Sequence, residues 1–217
     1  MEKLIEKLKD FKEKVNRVAN ETVLQSFFEE LAPAFLYSGY INVRNEYRVY
    51  IRTIEFYFHS EEPNGIHDPI VYHRNGKELE EVPYFPFMSL HAHSSGFDIT
   101  FENETEKYRA SALIRSYEVI DMQDGKYLKW DTKKSMFVKS DMYCYNIQST
   151  YIYALLNVFS LGNANDIRWV DEPIEQTKTI IQKPRQNVFQ SMSEWEYKKI
   201  KEKRCKREWS FTREERV

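Results

Sequence analysis

The chain has almost no cysteine. Cys144 and Cys205 lie far apart with no CxxC spacing, which excludes a disulfide framework and a thiolate metal site and fits a reducing, cytoplasmic compartment. The N-terminus MEKLIEKLKDFKEK has no apolar core of a signal peptide, and no run of about 20 apolar residues could span a membrane. Nucleotide-binding and hydrolase signatures are missing too. There is no GxGxxG, no GxxxxGK, no GxSxG and no helix-hairpin-helix glycine motif followed by an Asp, so a nucleotide cofactor and serine hydrolysis lose ground. No repeat, low-complexity tract or Pro/Gly/Ser linker divides the sequence. A net charge of −2 argues against a simple polybasic nucleic-acid binder, while leaving room for a local basic patch.

What is present suffices for a core: 217 residues, 41% hydrophobic and 15% aromatic. Residues 1–20 carry Leu4, Ile5, Leu8, Phe11 and Val15 at helical spacing and form an N-terminal amphipathic helix. A second helix, TVLQSFFEELAPAFLYSG, is expected to be capped by Thr22, kinked or ended at Pro33 and stopped by Gly39. From Ile41 to Phe58 the β-branched and aromatic content favours strands, as do GFDITFEN, YRASALIRSYEVI and QDGKYLKWDT, where Asp124-Gly125 signals a hairpin. NIQSTYIYALLNVFSLG reads as a helix, and REWSF as a last extended piece. The expected fold is α+β: a single domain over 21–217, with a curved, mostly antiparallel sheet flanked by helices, preceded by helix 1–20.

In "IRTIEFYFHS", residues 51–60, Ile54, Phe56 and Phe58 share one strand face, and Thr53, Glu55, Tyr57 and His59 share the other. A carboxylate on such a half-buried face pairs with a cation, titrates upward or serves as an acid or base. Arg52 lies on the wrong face to pair with Glu55 along the strand, so a structural partner would be an arginine across the sheet. Tyr57 adds a flat ring beside the carboxylate, and the two together suit a pocket that stacks a planar ligand next to a general base.

All five histidines, His59, His67, His73, His91 and His93, fall within 35 residues, and His91-Ala92-His93 on a strand puts both rings on one face. Without HExxH, a cysteine pair or a glutamate at ligand spacing, no metal is expected. The last 30 residues interleave basic side chains with Trp195, Tyr197 and Trp209, diluted by glutamates.

The order of "LAPAFLYSGYINV", "IEFYF", "HDPIVYHRN", "GFDITFEN", "ASALIRSYEV" and "KPRQNVF...REWSF" resembles the alkyladenine (3-methyladenine) DNA glycosylase family, in particular its shorter bacterial relatives. The resemblance spans about residues 22–213 through short motifs. It implies a monofunctional N-glycosylase fold and activity, removing alkylated purines by water attack at the anomeric carbon, with no cofactor and no metal. Glu55 is then the general base, Tyr57 one wall of the base pocket, and His73 or His67 the opposite wall. Arg115 in "LIRSYEV" and Arg185 in "KPRQNVF" match arginines on the nucleic-acid side, and Lys198, Lys201, Lys203 and Arg204 join them as phosphate contacts. The implied partner is DNA with damaged or unpaired bases, because the family's strand with an intercalating tyrosine is replaced here by "FMSLHAHSSGFDITF". The alternative is a non-catalytic nucleic-acid or protein-binding module on the same fold, with Glu55 simply paired.

Overall fold

The computed structural model describes residues 3–15, 20–68, 82–93, 96–156, 167–174, 179–185 and 207–214. Two helices, α1 (Leu4–Val15) and α2 (Glu21–Tyr37), precede the strands β1 (Gly39–Val43) and β2 (Tyr47–Ser60). Next come β3 (Ser89–His93), β4 (Gly96–Thr100), the long β5 (Tyr108–Asp121), β6 (Tyr127–Asp131) and β7 (Met136–Ser140). A 3-10 turn at Ser149–Ile152 runs into α3 (Tyr153–Leu156), and β8 (Ile167–Asp171), β9 (Ile180–Lys183) and β10 (Ser210–Arg213) complete the described elements.

The strands form one sheet in the order β3-β4-β5-β2-β1-β8, with β10 also pairing β2 and β9, and β6 pairing β5 and β7. Every strand pairing among the described residues is antiparallel. This is a mixed α+β architecture with a curled antiparallel sheet and few helices.

The expected alternation governs the sheet. Ile54, Phe56 and Phe58 of β2, Ala110, Ala112 and Ile114 of β5, and Phe97 and Ile99 of β4 are all buried in one core with Phe101. Leu4, Leu8, Phe11 and Val15 of α1 and Leu24, Phe28, Leu31 and Phe35 of α2 complete it. Phe28 stacks on Phe56 at 4.5 Å, and Phe11 meets Phe101 edge-on at 5.4 Å, so α1 shares the core of the sheet. Aromatic packing of this kind adds to the area removed from water, and truncating one such ring typically costs about 3–5 kcal/mol.

The phase of the alternation breaks once on each central strand. On β2 the core positions shift from Val49 and Ile51 to Ile54, and on β5 from Ile114 to Tyr117. The register jumps between Ile51 and Thr53 and again between Thr53 and Ile54, leaving Arg52 and Arg115 as the extra residues. Such bulges re-aim side chains, and here both re-aimed side chains are arginines.

Several local details differ from expectation. The N-cap of α2 is Asn20, whose side chain accepts from the Thr22 amide at 2.7 Å, because its extended backbone lies one residue before the first turn. Pro33 does not end the helix, which continues to Tyr37; Ser38 caps it through bonds to the Ala34 carbonyl. Gly39 instead opens β1, where a Cβ would lie 2.0 Å from the Val170 carbonyl oxygen, so its role is the close approach of β8. The helix expected over NIQSTYIYALLNVFSLG is only the 3-10 turn and α3 within the described residues. The Asp124-Gly125 turn forms as expected between β5 and β6, with Gly125 at φ 71°.

Candidate functional site

Opposite the core, the sheet presents a polar face. Cross-strand register aligns Glu55 of β2 with Leu113 of β5 and then Asp98 of β4, and Tyr57 with Ser111 and then Thr100. His91 of β3 pairs with Asp98, and Ser210 of β10 pairs with Glu55 from the other side. Residues far apart in sequence thus share one rung of the sheet.

Glu55 is fully buried. Its Oε2 accepts from Arg115 Nε at 2.7 Å and from the Tyr57 hydroxyl at 3.1 Å, and Arg115 Nη2 also approaches that hydroxyl at 3.5 Å. The arginine across the sheet is therefore present, delivered by the bulge on β5. Its side chain remains 23% exposed, joining the buried carboxylate to the surface. Burial opposes its charge, yet Tyr57 and Glu55 hold the guanidinium above its ordinary pKa. Burial, then the Glu55 charge, pushes the Tyr57 phenol far above its usual range, so the hydroxyl is a hydrogen-bond donor at any physiological pH. Arg52, as expected, does not meet Glu55: it donates to Tyr143 Oη at 2.8 Å and lies 3.8 Å from Glu118.

Arg185 is placed otherwise than a surface phosphate contact. Its guanidinium is buried, paired to Asp68 at 2.6 Å, bonded to the Phe56 carbonyl at 3.2 Å, and lies over the Tyr57 ring at 4.5 Å. One face of that ring is thereby occupied by a cation, and the residue as a whole is buried. His67 lies beside His59, ring centroids 5.2 Å apart, with Nε2 near the Pro63 carbonyl oxygen at 3.4 Å. His59 in turn takes the Asp68 amide at 3.1 Å, tying this loop to the end of β2. His73, Lys198, Lys201, Lys203 and Arg204 lie outside the described residues.

His91 and His93 do share a face, their rings stacked at 5.6 Å, and burial lowers the His91 pKa while Asp98 opposes the shift. Among the described residues no group of three or more His, Cys, Asp or Glu is arranged to hold a metal ion.

Asp98 escaped the reading from sequence. It is 4% exposed, its Oδ2 lies 3.4 Å from His93 Nε2 and 3.5 Å from Ser111 Oγ, and it faces the same side as Glu55. The signal was available in GFDITF, where Phe97, Ile99 and Phe101 alternate with Asp98 and Thr100.

Comparisons with protein-family models, with curated proteins and with solved structures find no match for this chain.

Proposed function

We propose that the chain is a monofunctional DNA N-glycosyl hydrolase that removes alkylated purines, on a fold similar to that of the alkyladenine DNA glycosylases. The observation that carries this is the bonded group of Glu55, Tyr57 and Arg115 on the polar face of the sheet. It brings a carboxylate, an aromatic ring and a cation to one place, as hydrolysis of an extruded nucleobase requires.

In the proposed reaction a water attacks the anomeric carbon of the sugar and gives its proton to Glu55. The glycosidic bond breaks with its electron pair moving to the base, so an alkylated, cationic purine leaves neutral. The transition state is oxocarbenium-like, and no covalent adduct to the protein is needed. Arg115 compensates the carboxylate charge and fixes its orientation, and the Tyr57 hydroxyl donates to the same oxygen. The Tyr57 ring stacks the base, and a cationic ring stacks on a π-face better than a neutral one. DNA with damaged or unpaired nucleotides is the proposed substrate, since extrusion costs least there.

A second reading is favoured by one specific observation: Glu55 has no exposed surface and is held by Arg115. A non-catalytic nucleic-acid or protein-binding module would use the pair only to stabilise the sheet. Base release from alkylated DNA by wild type and by Glu55→Gln separates the two. The hydrolase predicts release by wild type that the substitution reduces by about 10²–10⁴, the usual contribution of a general base. No release by either protein favours the module, and release at equal rates shows that Glu55 is not the base.

A further inference from the structure

The carboxylate of Asp98 is half satisfied. Its Oδ2 accepts from Ser111 Oγ at 3.5 Å and lies 3.4 Å from His93 Nε2, but its Oδ1 is buried and meets no hydrogen-bond partner among the described residues. The two arginines beside Tyr57 are paired with other carboxylates, Arg115 with Glu55 and Arg185 with Asp68. A buried carboxylate oxygen without a donor is costly to maintain, and such groups are completed by an ordered water, an ion or a ligand.

Position says what that something meets. Asp98 is two strands from Glu55 on the same rung, a separation of roughly 10 Å between backbones at ordinary strand spacing. Leu113 stands between them, its Cδ1 packed where only Gly96 leaves room. Tyr57 lies on the neighbouring rung, aligned with Ser111 and Thr100, and Ser111 Oγ approaches Asp98 Oδ2 at 3.5 Å, so the carboxylate shares the face of the proposed stacking surface.

Resting on the proposed glycosyl hydrolase, we infer that Asp98 is the specificity-determining acceptor of that site: its Oδ1 receives an N–H of the base and selects purines with an amino group and a positive charge. A base that offers neither leaves Oδ1 unpaired on binding, which is how a buried polar group discriminates. Stacking on Tyr57 favours a cationic base but does not read its amino group, so the part of the preference that disappears when the carboxylate is removed belongs to Asp98.

The test is binding of full-length wild type, Asp98→Asn and Asp98→Ser to two single-stranded oligonucleotides. One carries 1-methyladenine, which is cationic and bears an amino group; the other carries unsubstituted purine, which has neither feature. Wild type is expected to prefer the 1-methyladenine strand. Either substitution should reduce that preference by about 10- to 100-fold, the range of a hydrogen bond to a charged group, while leaving affinity for the purine strand within a factor of two. Base release is measured separately. Preference lost on substitution, with no base release by wild type, supports the Asp98 assignment while removing the hydrolase. A wild type that binds the two strands equally or binds neither overturns the assignment. So does a preference that survives in a folded Asp98→Asn or Asp98→Ser protein.

Discussion

The guanidinium of Arg185 lies over the ring of Tyr57 at 4.5 Å while its Nη1 holds Asp68 at 2.6 Å. A residue of the C-terminal third thus clamps the loop after β2 onto the ring beside Glu55. Both members of the ion pair are essentially without exposed side-chain surface, at 2% and 1%. Removing one partner strands the other charge in the interior. Asp68→Ala should destabilise the fold by about 3–5 kcal/mol, lowering the thermal midpoint by roughly 10 °C for a chain of this size. Arg185→Met combined with Asp68→Ala should cost less than the sum of the single changes, because the double variant buries no orphan charge. Thermal denaturation followed by circular dichroism checks both, and additive losses would show that the two groups do not act as a pair.

Glu102 gives the fold a pH dependence of predictable sign. Burial raises its pKa to about 7, against the Phe85 amide, which donates to it at 2.7 Å, and the Arg109 guanidinium, 3.8 Å away. The folded state therefore holds a proton that the unfolded state releases near 4.5. The stabilising contribution is complete below about pH 4.5 and is lost as pH rises to about 7. His91, whose pKa is lowered, works in the opposite direction, so the informative quantity is a difference between proteins. Relative to wild type, Glu102→Gln should gain thermal stability between pH 5 and pH 8 and change no further above that. A constant difference across this range would show that Glu102 does not titrate there.

Much of the sheet was legible because period-two alternation is a local signal. Ile54, Phe56 and Phe58 against Glu55 and Tyr57 announced a core face and a polar face, and the sheet has both. The bulges were legible in principle, since Val49 and Ile51 fall out of phase with Ile54, and each break contains an arginine. The Arg185–Asp68 pair was not, because it joins positions 117 residues apart and no local pattern encodes that meeting. The cap of α2 went to Asn20 rather than Thr22 because both are good capping residues, and the backbone chose between them.

If the chain binds DNA, its affinity should fall with salt by a slope of roughly −0.7 to −0.9 per neutralised phosphate. Lys198, Lys201, Lys203 and Arg204 are the expected contributors, together with the partly exposed Arg115. Replacing each lysine or Arg204 by Gln or Met should flatten the slope by about one contact, whereas Arg115→Met also strands the buried Glu55 carboxylate. Arg185→Met should instead act through stability, since its guanidinium is buried against Asp68. Filter-binding or anisotropy titrations between 50 and 200 mM salt, about the range over which such contacts are lost, provide the check. Binding insensitive to salt would point to a protein partner.

Tyr57 carries two separable functions, and two substitutions divide them. The hydroxyl donates to Glu55 Oε2 at 3.1 Å and Arg185 covers one face of the ring, while in the proposed reaction the opposite face stacks the base. Tyr57→Phe keeps the ring and removes one donor to the buried carboxylate. It should cost about 1–3 kcal/mol of stability with little change in retention of an extruded base. Tyr57→Ala removes the stacking surface as well, so retention should weaken by a further ~1–3 kcal/mol, the usual worth of one base–aromatic stack. Comparing the two variants by thermal denaturation and by binding to an oligonucleotide with a single alkylated purine isolates the ring from the hydroxyl. Should Tyr57→Phe and Tyr57→Ala bind that strand equally well, the ring does not stack a base, and the polar face serves the sheet rather than a nucleobase.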